Sequence, residues 1–211
     1  GEAGGFATFR ERPVGGDDAV ASSGGMPLNE DHAATLSVAG LLGNDHASAG
    51  AQASTLRITG LETEGTHGAV ALAGGSVVWD PRGQFDALAE GETVTDSFRY
   101  TFSDANGATG SGRVTLTVRG LNDAPVAALD KAAAVENGDA VLIDVLANDD
   151  DIDSDDDRFS LRVIMASAAS GATVAAAGVA GASIVYDPRT AAAFEALGEG
   201  QTLVDQVTYT I

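Results

Sequence analysis

Seven aspartates fall within nine residues, at positions 149, 150, 151, 153, 155, 156 and 157. Two like charges about 4 Å apart repel by about 1 kcal/mol in water and by more where water is scarce. A run this dense is costly at the edge of a folded domain unless a counterion joins it. Calcium is a hard cation that takes about six to eight oxygen ligands, and such a loop can offer them. In an extended loop alternate side chains share a side, which would turn Asp149, Asp151, Asp153 and Asp155 toward one ion. The plainer alternative is a solvated acidic loop. It is not an EF-hand: counted from Asp149, Asp151 or Asp153, no glycine stands sixth and no glutamate twelfth.

Residues for catalysis do not converge in the same way. There is no Gly-x-Ser-x-Gly elbow, no His-Glu-x-x-His, no phosphate-cradling Gly-x-x-x-x-Gly-Lys and no Gly-x-Gly-x-x-Gly. The chain has no cysteine, so thiol nucleophiles, thiolate metal sites and disulfides are excluded. With 31 acids, a pair spaced like a glycosidase's would arise by chance. No catalytic and no cofactor-binding residues are assigned, and the chain is read as a non-enzyme.

A formal charge of −20 disfavours nucleic acid and anionic lipid surfaces as partners and favours cations. The 44% hydrophobic content is enough to bury cores, and the 5% aromatic content makes them cores of small residues. Val163 to Tyr186 carries no charge over 24 residues, the length of a membrane span. Gly171, Gly178 and Gly181 break it into short pieces, and no membrane insertion is expected. Gly1 to Val14 lacks the basic-then-apolar order of a secretory signal. That, with a first residue other than Met, suggests a fragment or a processed product.

The elements that must position the aspartates come from an internal repeat. Leu88 to Phe102 (LAEGETVTDSFRYTF) and Leu197 to Ile211 (LGEGQTLVDQVTYTI) share seven of fifteen positions. Trp79-Asp80-Pro81-Arg82 answers Tyr186-Asp187-Pro188-Arg189, Asn44-Asp45 answers Asn148-Asp149, and Asp18 answers Asp130. The histidines His32, His46 and His67 have no counterparts in the second copy, which argues against a catalytic role for them. The expected organisation is an N-terminal extension over 1–12, a first repeat over 13–124 and an incomplete second repeat over 125–211.

Within a repeat the pattern is of short strands. Val94, Phe98, Tyr100 and Phe102 alternate with polar residues, and so do Val114, Leu116 and Val118. Asp104-Ala105-Asn106-Gly107 between them is turn chemistry. Further strands are expected at Ala33–Val38, Leu56–Thr59, Ala69–Leu72, Val77–Asp80 and Ala140–Val145, with the strand pattern resuming at Leu161–Ile164. A helical turn is expected at Gln84–Glu90. Asp80 and Asp187 should cap turns, Asp96 and Asp205 should accept backbone hydrogen bonds, and Trp79, Tyr100 and Tyr209 should lie in the core. The fold class is all-β, two tandem sandwiches. The second sandwich lacks its last strand, for which trimming, a strand from another chain (Gly5 to Arg12 of a neighbour) or marginal folding would account.

Asp80-Pro81, Phe85, Leu88, Gly91-Glu92, Asp96, Phe98, Tyr100-Thr101, Asp104, Gly107 and Gly120-Leu121-Asn122-Asp123-Ala124-Pro125-Val126 together resemble VCBS or cadherin-like repeats of bacterial RTX-type adhesins and rhizobial adhering proteins. The resemblance covers nearly all of residues 13–211. It implies an Ig-like Greek-key sandwich, calcium binding, type I secretion to the cell surface or medium, and a role in cell adhesion or biofilm matrix. Partners implied are neighbouring repeats of a calcium-stiffened array. Extracellular polysaccharide or cell-surface glycans would be partners if the module acts instead as a lectin. Asn122-Asp123-Ala124-Pro125 resembles the cadherin linker, so Asn122, Asp123 and Glu136 are expected to join the loop aspartates in a calcium site; a simple turn is the alternative there. The first repeat departs from the pattern, reading His46-Ala47-Ser48-Ala49-Gly50 where the second has aspartates.

Overall fold

A computed structural model describes residues 12–157, 159–178 and 181–211. The proposed strand donor Gly5–Arg12 lies outside the described residues but for Arg12. The chain divides after Leu121 into two compact units, and the described residues of both form β-strands with short helical segments between them.

The first unit is organised by a long hairpin. Strands β8 (Thr93–Ser103) and β9 (Thr109–Arg119) pair antiparallel over eleven residues each. The alternation of their sequences is the reason: every second residue from Asp96 to Phe102, and from Gly112 to Val118, is buried. Asp104 closes the turn, its Oδ1 accepting from the Asn106 and Ala108 amides at 2.9 and 3.0 Å, while Gly107 takes φ of 74°. Strand β1 (Asp18–Val20) runs parallel to β9, and β5 (Arg57–Glu62) flanks β8, giving the order β1-β9-β8-β5. The facing sheet is β4 (Ala34–Ser37), β7 (Ser76–Asp80) and β6 (Ala69–Ala73), in the order β4-β7-β6. A short hairpin of β2 (Ser22–Ser23) and β3 (Met26–Pro27) lies beside them in sequence. Trp79, Tyr100, Phe102, Val114, Leu116 and Val118 form a core closed to solvent. Trp79 is therefore not available to stack on a sugar.

Among its described residues the second unit repeats the frame with fewer strands. Strands β10 (Val141–Ile143), β13 (Ser183–Asp187) and β12 (Thr173–Ala177) pair in the order β10-β13-β12, the counterpart of β4-β7-β6. Strands β11 (Met165–Ala168) and β14 (Val207–Thr210) pair as β5 and β8 do. Among the described residues β14 has one strand partner, β11, where β8 has two. Val207, Tyr209 and Ile211 are half-buried, whereas Phe98, Tyr100 and Phe102 are buried.

Two local expectations are corrected. Gln84–Glu90 forms successive turns, with Leu88 N–H donating to Phe85 O, and no helix. Leu161–Ile164 is irregular and the strand begins at Met165, because buried Leu161 and Val163 pack into the core from a loop.

Candidate metal site

In each unit, one aspartate follows an asparagine just after the first strand of the three-stranded sheet. In the first unit Asp45 is buried, and its Oδ1 accepts the Gly16 amide at 2.7 Å. Its Oδ2 accepts the Tyr100 hydroxyl at 2.9 Å. The second unit repeats each contact: Asp149 Oδ1 accepts the Ala128 amide at 2.7 Å, and both oxygens lie 3.1 Å from the Tyr209 hydroxyl. Each tyrosine hydroxyl also reaches a main-chain carbonyl, Leu41 O at 2.9 Å and Val145 O at 3.1 Å. Each meets a second carboxylate, Asp18 or Asp130. Burial raises the Tyr100 and Tyr209 pKa values, and the neighbouring carboxylates add to it, so both remain donors. Burial likewise raises that of Asp18, against the bond from Tyr100. The asparagines fasten the same junction, Asn44 Nδ2 donating to Asp17 O and Asn148 Nδ2 to Leu129 O.

A second carboxylate is shared by the units at the opposite end of β8 and β14. Asp96 accepts from the His67 and Gly68 amides and from Trp79 Nε1 at 2.9–3.0 Å. Asp205 accepts from the Ser170 amide and hydroxyl and from the Tyr186 hydroxyl at 2.8 Å. Burial pushes both carboxyls up, but the converging donors outweigh it and hold both below the usual range. Burial and the bond to Asp205 push Tyr186 up to about 12. Asp80 and Asp187 cap turns by accepting the Arg82 and Arg189 amides, each at 3.1 Å.

What the second unit adds is the loop after Asp149. A two-way bridge between Val126 and Asp150 fixes its start, as Val14 and His46 do in the first unit. Asp153 N–H then donates to Asp151 Oδ1 at 3.2 Å, and Asp156 N–H turns back to Asp153 O at 3.2 Å. Asp157 Oδ1 stops the loop by accepting the Phe159 and Ser160 amides. The outcome gathers Asp151, Asp153 and Asp156, with one carboxylate oxygen of each within 4.8 Å of the others. Asp153 is 3% exposed; its Oδ2 accepts the Asp123 amide at 3.0 Å, while its Oδ1 is buried and has no hydrogen-bond partner.

The residues expected from sequence are thus sorted. Asp151 and Asp153 come together and Asp123 reaches the group through its main chain. Asp149 serves the tyrosine network that the first unit also has. Asp155 is exposed and outside the trio, and Asp156 stands in it instead, because the turn at Ser154-Asp155 shifts the alternation by one residue. Asn122 is exposed and bonds to Asp123 O. Glu136 lies on the wall of a groove with Asp130 and Tyr209, its Oε1 accepting from Asn137 and its Oε2 buried without a partner. Seeing Asp156 in advance would have required recognising Asp153-Ser154-Asp155-Asp156 as a β-turn, for which Ser and Asp are suitable residues.

Among the described residues no helix is long and apolar enough to cross a membrane. No curated protein and no solved structure matches the chain. Its two sandwiches, each locked by the same Asn-Asp pair and the same core tyrosine, coincide with two matches to one family, over residues 12–117 and 122–211. The chain belongs to the bacterial Ig domain family and carries two such domains in tandem.

Proposed function

We propose that this tandem is a calcium-binding, cadherin-like module of an adhesin exported to the bacterial surface by type I secretion. It would act as one stretch of a domain array in cell adhesion or biofilm matrix, with no catalytic step of its own. The observation that carries this reading is Asp153: a buried carboxylate with one oxygen unpartnered, beside two further carboxylates. An unsatisfied buried acceptor costs about 1–3 kcal/mol, and more when charged. A cation removes that cost and the mutual repulsion together, and calcium suits three carboxylates supplemented by main-chain oxygens and water. Because Asp153 also takes the Asp123 amide, ion binding and the Asn122-Asp123-Ala124-Pro125 segment are coupled, which supports a stiffening role for calcium in the array.

Calcium titration by calorimetry, with melting in calcium and in EDTA, tests this. A ligand confined to the folded state stabilises it by about 2.7 kcal/mol at a hundredfold excess over Kd. The triple change Asp151→Asn, Asp153→Asn and Asp156→Asn should abolish the calcium-dependent shift, and Asp155→Asn should leave it. A shift that survives the triple change defeats the assignment. Capture of an exopolysaccharide by the chain in EDTA would favour the lectin-like reading over the spacer.

A further inference from the structure

Three arginines stand on one face of the first unit with no acid paired to them. The outward positions of β8 are the odd-numbered ones, since Phe98, Tyr100 and Phe102 face the core. From Thr93 to Ser103 they hold Arg99 and otherwise only serine and threonine. From Thr109 to Arg119 the outward positions of β9 likewise hold only serine, threonine and arginine. Arg99 and Arg113 lie directly opposite one another across the two strands. Arg57 on β5 stands opposite Ser103, about 13 Å along the strand from Arg99. All three are exposed, and among the described residues none of them makes an ion pair. Arg113 Nη2 donates to Ser97 Oγ at 2.7 Å, which leaves most of its donors open.

Strand pairing does not ask for this arrangement. Like charges directly opposite each other destabilise a sheet, and in the second unit Thr208 stands where the first has Arg99. A cleft of 580 Å³ opens at the arginine pair, with Ser97 and Thr63 in its lining beside Glu62 and Glu64.

We propose that this sheet face binds an acidic polysaccharide, a sugar polymer bearing carboxylates, laid across β5, β8 and β9. A guanidinium takes a carboxylate through two parallel hydrogen bonds. The serine and threonine hydroxyls between the arginines exchange hydrogen bonds with sugar hydroxyls, and Glu62 and Glu64 accept from them. An anion without hydroxyls makes no use of those two acids. No aromatic residue occupies an outward position of β8 or β9, so recognition here rests on charge and hydrogen bonds rather than on stacking. Arginines about 13 Å apart suit a polymer whose charges are spaced out. Duplex DNA carries a charge about every 1.7 Å of its axis, and the remainder of a chain of net charge −20 repels it. The site lies in the first unit and uses none of the aspartate trio, so it goes beyond the spacer reading and does not depend on calcium.

The test titrates oligogalacturonate into the full chain by calorimetry, in EDTA at low ionic strength. Binding is expected, weakening as sodium chloride is added. Arg99→Gln should reduce the affinity about tenfold, and Arg99→Gln with Arg113→Gln about a hundredfold, one charge-assisted pair being lost with each. Arg82→Gln, in the turn after β7, should leave it unchanged, and uncharged dextran should not bind. The double variant should melt no lower than the parent, because it removes a like-charge pair. Asp151→Asn with Asp153→Asn and Asp156→Asn should leave oligogalacturonate binding intact, so failure of the calcium site and failure of this face are distinct results. The proposal is overturned if oligogalacturonate does not bind, or if dextran or the double variant binds equally well. A fall in the first unit's melting temperature in the double variant also overturns it, by making the pair structural. So does tighter, arginine-dependent binding of duplex DNA, which would give the face to nucleic acid.

Discussion

The tyrosine hydroxyl in each sandwich is a residue-scale feature both units share, and it marks which carboxylates serve the common frame. Asp149 opens the acidic run, yet its contacts are those of Asp45, whose loop carries no such run. Asp149→Ala should therefore weaken the second unit by about 1–3 kcal/mol, equally in calcium and in EDTA, as the Ala128 amide loses its acceptor and the Tyr209 hydroxyl loses one of several. Chemical denaturation in both buffers measures this, and a loss confined to calcium would make Asp149 a ligand. Asp205 gives a pH prediction. Its folded-state pKa lies below the ordinary 3.8, so the folded form holds the proton less tightly than the unfolded chain. Its stabilising contribution is complete at neutral pH and drains away as the pH falls through the folded value, in the window below about 4. Carboxyl NMR titration should place Asp205 and Asp96 below the exposed aspartates. Asp205→Asn should flatten the acid limb of the second unit's stability curve.

At the scale of elements, the strands with one buried face were readable and the segments without periodicity were not. The alternation from Val94 to Phe102 and from Val114 to Val118 mapped onto β8 and β9, since a period of two leaves one pairing face. Asp96 could be placed among the inward positions for the same reason. Gln84–Glu90 gave a false helical signal, as its Phe85 is buried by turns. Asp156 rather than Asp155 lies beside Asp151 and Asp153 because a single turn inverts which side chains converge, and alternation cannot register that. The pairing of Asn-Asp with the core tyrosine was visible as a repeat but not as a contact, since it joins residues far apart in sequence. One element-scale consequence concerns β9 itself. Gly112→Ala pushes a methyl group against the Gly16 carbonyl and the Tyr100 ring, whose hydroxyl is bonded to Leu41 O and Asp45. The first unit should lose about 1–3 kcal/mol, read from urea melts. A neutral outcome would mean that Tyr100 can yield.

Taken whole, the molecule carries −20 on two domains with separate cores of unequal quality. The first core contains Trp79, Tyr100 and Phe102, all closed to water, under a four-stranded sheet. The second divides into two smaller clusters beside the groove, with Val207 where the first has Phe98. Two transitions are expected in calorimetry, the second unit melting first in EDTA. Calcium at a hundredfold excess over Kd should raise that lower transition by about 10–20 °C, from about 2.7 kcal/mol acting on a domain of this size. Net charge complicates the readout, because any salt screens the self-repulsion of so acidic a chain and lifts both transitions together. The comparison must therefore be made against sodium chloride at equal ionic strength. Specific binding moves the lower transition alone, and Asp151→Asn with Asp153→Asn and Asp156→Asn removes that movement. The screening rise of the upper transition should be untouched by the same change. If calcium and sodium prove interchangeable at matched ionic strength, the aspartate loop is a solvated acidic surface and its trio holds no ion.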